Sequence, residues 1–251
     1  KQKIKNLSPE SKRNKLFMII GILLIIFSLL TLFYFFFKTD TNTIPIEKQF
    51  VPLIFNDKSI FLEVFGLEQD EIAQIVLNEI NITNVKNGGV EGIYLTENKK
   101  PSAGIGLRRF IALIGGSFVP GDNTLFIQDN FLMGVVNSGK PLETNRDGFF
   151  ILLKVRSISD IFNNLRAWEE MMLTDLHEFL GIKIDGDTKH LFEKNFEDKI
   201  IENKNARILY DKAGKIVLMY IFADDNSVII TNSQFAAREI IFRLASAKKK
   251  Q

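Results

Sequence analysis

The residues able to do chemistry are few and poorly grouped. The chain has two histidines, His177 and His190, and no cysteine. Disulfides, thiolate metal sites and cysteine nucleophiles are therefore excluded. His177 opens the run His-Glu-Phe-Leu-Gly. A zincin helix needs a second histidine four places on, and that place is Gly181. Asp175 and Glu178 flank His177 on a helix that already has a packing role. His190 ends the loop-like Asp-Gly-Asp-Thr-Lys-His and reads as a solvated side chain.

Three further stretches resemble binding loops and stop short. Asp185-Gly186-Asp187 has the start of a calcium loop. Its next alternate residue is Lys189, and no acid stands twelve along. Gly104-Ile105-Gly106-Leu107-Arg108-Arg109 is half a phosphate loop, without the third glycine or the lysine. The pair Arg108-Arg109 reads as one exposed face of a short helix. Gly115-Gly116-Ser117-Phe118 lacks the elbow spacing that presents a nucleophilic serine. The acid pairs Glu169-Glu170, Glu197-Asp198 and Asp224-Asp225 are adjacent in sequence. General acid/base work needs two carboxylates facing each other across a cleft, so these read as solvated faces and turns. Trp168 stands at helical spacing with other apolar residues and reads as core. The sequence thus supplies no catalytic, cofactor-binding or metal-ligating residue.

The elements that would position any site are clearer. Ser59 to Phe65 reads as a strand ended by Gly66, and Leu67 to Ile80 as a helix with an Ile72, Ile75, Val76, Ile80 stripe. Asn87-Gly88-Gly89 is a turn before the strand Val90 to Thr96. Leu107 to Ile114 is a short helix stopping at Gly115. TLFIQ and FLMGVV read as two strands joined by a hairpin at Asp129-Asn130. Phe149 to Val155 is a strand, and Ser157 to Asp160 forms a capping box. The helix behind it carries Ile161, Leu165, Trp168, Met172, Leu176 and Phe179 at three- and four-residue steps, and Gly181 ends it. Ala206 to Tyr210, Lys215 to Phe222 and Ser227 to Thr231 are strands, closed by the helix Ser233 to Ala247. Strand, polar cap and helix recur in both halves; common β-β-β-α geometry is the first reading and true duplication the alternative, with two sheet layers backed by helices expected from three strands and a helix twice over.

One stretch sets the placement of the rest. Leu16 to Phe37 has no charge and no proline. As a helix it is about 33 Å long, against a hydrocarbon core of about 30 Å. Its Leu, Ile and Phe residues each favour insertion by roughly 0.3 to 0.6 kcal/mol at the helix centre. Six basic residues and one acid precede it, so the positive-inside rule puts residues 1–15 in the cytoplasm. The run ends in Phe-Phe-Phe-Lys-Thr-Asp, a poor cleavage site, which favours an uncleaved anchor over a signal peptide. Gly21 has Ile25 four residues on, so no small-xxx-small pairing motif is present. Residues 38–50 read as a linker without heptads, 51–247 as the extracytoplasmic domain, with subdivision near 119 and 195, and 248–251 as a basic tail. Beyond residue 15 the chain has 26 basic and 29 acidic residues. That balance lacks the footprint of a nucleic-acid binder.

The expected fold class is therefore α+β: a single N-terminal transmembrane helix, 16–37, and a domain of mainly antiparallel strands backed by helices. The blocks TLFIQDNFLMGVV, LKVRSISDIFNNLRAWEEMM and SVIITNSQFAAREIIFRL resemble those of single-pass membrane proteins from small-genome, candidate-phylum bacteria. That group has no assigned activity, so the resemblance implies placement and no functional residue. The layout of tail, span and outer domain is similar to inner-membrane alignment proteins of type IV pili, but the coiled coil is missing. The expected function is a non-enzymatic interaction or assembly module of the cell envelope. It would have the bilayer as one partner through residues 16–37 and an envelope protein as another. An envelope hydrolase with a carboxylate site and a small-ligand binder are the alternatives.

Overall fold

The computed structural model describes residues 9–38, 51–97, 104–119, 127–139 and 148–248. The chain divides into two compact units, Lys1–Lys48 and Gln49–Gln251. In the first, helix α1 spans Pro9–Lys38. Proline suits the first helical position, where its missing N–H breaks no helical bond. The stretch Arg13–Tyr34 has a mean hydropathy of 3.0, and none of it is buried within the chain. It is long and apolar enough to cross a membrane. The Thr31 hydroxyl donates to the Ser28 carbonyl at 2.8 Å, so this polar group is satisfied within the helix. Most of the expected linker, residues 39–50, lies outside the described residues.

The second unit is built on one mixed sheet of eight strands. In chain order they are β1 (Lys58–Glu63), β2 (Val90–Thr96), β3 (Ile127–Val136), β4 (Phe149–Val155), β5 (Glu197–Ile201), β6 (Lys204–Tyr210), β7 (Ile216–Asp224) and β8 (Ser227–Thr231). The spatial order is β1-β2-β3-β4-β8-β7-β6-β5. β1 and β2 are parallel, and every other neighbouring pair is antiparallel. Helices α2 (Gln69–Ile82), α3 (Leu107–Leu113) and α4 (Ile158–Leu176) share one core with Ile93, Ile151 and Ile230. Helix α5 (Gln234–Lys248) packs with Phe150, Leu152 and Ile229. Because residues alternate across a strand, these sets lie on opposite faces, and the sheet is sandwiched between helices. The central runs FFILLKV and SVIIT are therefore almost wholly buried and show no polar alternation. Each such Phe or Ile contributes about 1.5 to 3 kcal/mol by leaving water.

Three expectations need correction. The two strand-cap-helix runs do not make two sheet layers. Their strands β4 and β8 pair side by side in the one sheet, and their helices go to opposite faces. Asp129-Asn130 is not a hairpin. β3 runs straight through it, with a register shift between Ile127 and Phe131 that marks a bulge. β5 was not expected, because Glu-Asp-Lys-Ile-Ile offers no apolar face. It joins β6 through Glu202 and Asn203, both in left-handed backbone (φ 48° and 58°), which suits the twist of a two-residue hairpin.

Helix α4 forms where its sequence places it, with a serine cap alone in place of the expected capping box. The Ser157 hydroxyl caps it by accepting the Ser159 amide at 3.2 Å. Ile161, Leu165, Trp168, Met172 and Leu176 are buried. Past its last regular residue, Gly181 takes φ 65°, the Gly181 amide donates to Glu178 and the Ile182 amide donates to His177. That pair of bonds is the glycine stop anticipated at this position.

Candidate functional site

Most of the residues singled out above are engaged structurally. His177 closes α4, with Nδ1 2.7 Å from the Thr174 carbonyl and its ring edge-on to Phe192. Asp175 is buried and accepts Trp168 Nε1 at 2.6 Å and the Ser117 amide at 2.7 Å. It ties the turn after α3 to α4, and the Ser117 hydroxyl points at the same carboxylate. Trp168 is 5% exposed and stacks on Phe118, as expected of a core residue. His190 is half-buried in the turn Lys189–Leu191 rather than solvated, and neither ring nitrogen finds a partner. Asp185 accepts the Asp187 and Thr188 amides, and the Thr188 hydroxyl, within its own loop. Those bonds hold its carboxyl below the ordinary range.

The half phosphate loop is filled by the chain itself. Arg109 pairs with both carboxylate oxygens of Glu97. The Asp129 carboxylate accepts the Arg108 amide at 3.0 Å, at the start of α3. A Cβ on Gly106 would lie 1.9 Å from Asp129 Oδ2, so a larger residue there would displace that carboxylate from the start of α3. Among the described residues, no three of His, Cys, Asp or Glu converge as a metal site.

Two carboxylate clusters matter more. Glu169 was expected on a solvated face and is instead part of a buried network. Arg207 donates to it twice, at 2.8 and 2.7 Å, and the Tyr220 hydroxyl donates at 2.5 Å. Side-chain exposure is 8% for Arg207 and 12% for Glu169. Burial, then the Glu169 charge, push the Tyr220 phenol well above its ordinary range. Glu170 remains exposed. The second cluster was missed. Glu91 on β2 is fully buried; it accepts Lys58 Nζ at 2.9 Å and the Thr83 hydroxyl at 2.5 Å. Glu79 on α2 lies 3.4 Å from the same ammonium. The signal was present in the strand Val-Glu-Gly-Ile-Tyr-Leu, where Glu91 shares a face with Ile93 and Leu95.

The sheet also offers an open edge. β5 ends the strand order, and its side chains are largely exposed. Asp198 and Ile200 pair across from Arg207 and Asn205, so they share the α4 face. Beside them runs a cleft of about 530 Å³ lined by Ile158, Phe162, Ile200 and Phe222. Ile200 is 72% exposed and Phe162 is 40% exposed. Asp198 is held by Arg207 at 3.0 Å with most of its surface in solvent. A second groove, about 470 Å³, lies between α2 and the end of α4 and includes Leu77, His177, Glu178 and Ile182. No family model, curated protein or solved structure matches this chain.

Proposed function

We propose that the chain is a membrane-anchored, extracytoplasmic interaction module of the bacterial cell envelope. On this reading α1 holds it to the bilayer and β5 receives an extended segment of a protein partner. The carrying observation is the edge itself: free strand backbone beside an apolar cleft, with Ile200 exposed. A partner strand would gain main-chain hydrogen bonds from β5 and place a large apolar side chain in the cleft. Its residue facing Asp198 would be basic, because that carboxylate is open to solvent on its outer side. A second copy fits poorly. Antiparallel self-pairing centred on Lys199 sets lysine against lysine. Anchoring both partners in one membrane raises their effective concentration, so a modest contact suffices.

The hydrolase alternative draws little support. Its carboxylates would have to face a cleft, whereas Glu91 is fully buried and saturated by Lys58 and Thr83. The small-ligand alternative is favoured by one feature, the unpartnered Oε2 of Glu178 at the α2–α4 groove. Crosslinking in native membranes tests the proposal. It should give one defined heteromeric product that Ile200→Lys abolishes. Recovery of monomer alone, with turnover of a cell-wall substrate by the purified chain, would contradict it.

A further inference from the structure

The cluster under α2 sets two carboxyls against one ammonium, around a fully buried glutamate. Glu91 lies in an interior strand, flanked by β1 on one side and by Val135 of β3 on the other. Its side chain has no exposed surface. Glu79 reaches it from the last turn of α2, with 15% of its side chain exposed. Both carboxyls thus approach the same ammonium, at 3.4 and 2.9 Å. A single proton retained by the pair balances the charge of the three groups. Lys58 supplies one positive charge to both. Thr83, just past the end of α2, donates to the remaining oxygen of Glu91.

We propose that the Glu79–Glu91 carboxyl pair is a proton-operated latch that fastens the C-terminal end of α2 to the β1–β2 corner of the sheet. With one proton shared, the pair and Lys58 are electrically neutral together. When that proton leaves, two carboxylates face one lysine in a low-dielectric site, and one charge is uncompensated. The end of α2 adds to the effect, since its free carbonyls carry partial negative charge beside Glu79. The remaining charged groups at this corner do not offset the change. Asp57 is already satisfied by Lys86, Arg243 and the Val90 amide, and Arg243 on α5 is further committed to Glu239 and the Phe55 carbonyl.

The direction of the effect follows from the two groups. Burial first, then the neighbouring Glu91 carboxyl, raise the Glu79 carboxyl above its ordinary value of 4.5. Burial also pulls Glu91 upward, but Thr83, Lys58 and Glu79 together outweigh it and leave Glu91 lowered. Glu79 is therefore the group that gives up the proton. Between 4.5 and its raised value, the folded state binds more protons than the unfolded one, so stability falls as pH rises.

Hydrogen exchange on the full chain in nanodiscs tests this latch independently of any binding partner. After correction for the intrinsic rise of exchange with pH, amides 79–83 should exchange faster at about pH 8 than at about pH 5. The change is about tenfold for each pH unit by which Glu79 exceeds its ordinary value. Glu79→Gln keeps a donor toward Glu91 and should exchange slowly and equally at both values. Lys58→Met should steepen the dependence. Carbon-13 titration of the wild-type Glu79 carboxyl gives a second reading that needs no variant. A midpoint at or below 4.5, or the same corrected exchange in wild type and Glu79→Gln at both pH values, would overturn the latch.

Discussion

Removing the Arg207 guanidinium would leave the Glu169 carboxylate beside Tyr220 with only the half-exposed Arg166, 3.9 Å away, as a counter-charge. Loss of one partner of a buried pair typically costs about 3 to 5 kcal/mol. Arg207→Ala should therefore lower the urea midpoint far more than Arg109→Ala, whose pairing with Glu97 is exposed. Trp168→Ala should cost about 3 to 5 kcal/mol through its cavity, and it also strips the indole donor from buried Asp175. In the wild type, Trp168 emission should be blue-shifted and shielded from acrylamide. A red-shifted, fully quenchable signal would contradict its burial. Acid acts at Asp57 in the sense opposite to Glu79. Burial raises its carboxyl, but the Val90 amide and Arg243 outweigh this and leave it below 3.8. Its contribution is present above that value and lost as pH falls through its folded value. Trp168 was legible from helical spacing alone. Glu91 was not, because a strand pattern marks the buried face but does not say that a lysine from β1 and a threonine after α2 will meet there.

At the scale of elements, the close packing of β2 on β3 depends on small residues. Gly134 of β3 pairs with Gly92 of β2. A Cβ there would lie 2.3 Å from the Glu91 carbonyl and 2.9 Å from the Phe150 ring. The first neighbour is backbone and cannot rotate away. Gly134→Ala should thus cost at least the 1 to 3 kcal/mol typical of overpacking, about the upper end of that range, measured as a fall in the melting midpoint. Strands β2, β4 and β8 were readable to the residue because apolar runs bounded by turn residues leave little choice. α4 was readable because cap, stripe and glycine stop agree. β5 was not, since an edge strand is stabilised by pairing with β6 rather than by burial, and its composition is that of a solvated loop. Asp129-Asn130 misled because acid and amide residues favour turns and also favour bulges.

At the scale of the whole molecule, the proposal joins a helix fit to cross a bilayer to a helix-covered sheet with β5 at one end of its strand order. On the proposed reading, the basic residues before Leu16 face the cytoplasm. Protease added to intact spheroplasts should degrade the unit from Gln49 onward and spare residues 1–15. Protection of the large unit would reverse the topology. The sheet architecture was legible as α+β, whereas its single-layer arrangement was not, because β4 and β8 pair across 71 intervening residues and no local pattern records that. The central claim, partner binding at the β5 edge, is tested most directly by placing a photoreactive side chain at position 200 and, as a control, at position 184, also an exposed isoleucine. Irradiated in native membranes, position 200 should yield one discrete heteromeric adduct that Phe162→Asp weakens, and position 184 should yield none. Equal adducts from both positions, no adduct from position 200, or only a homodimer would contradict the account.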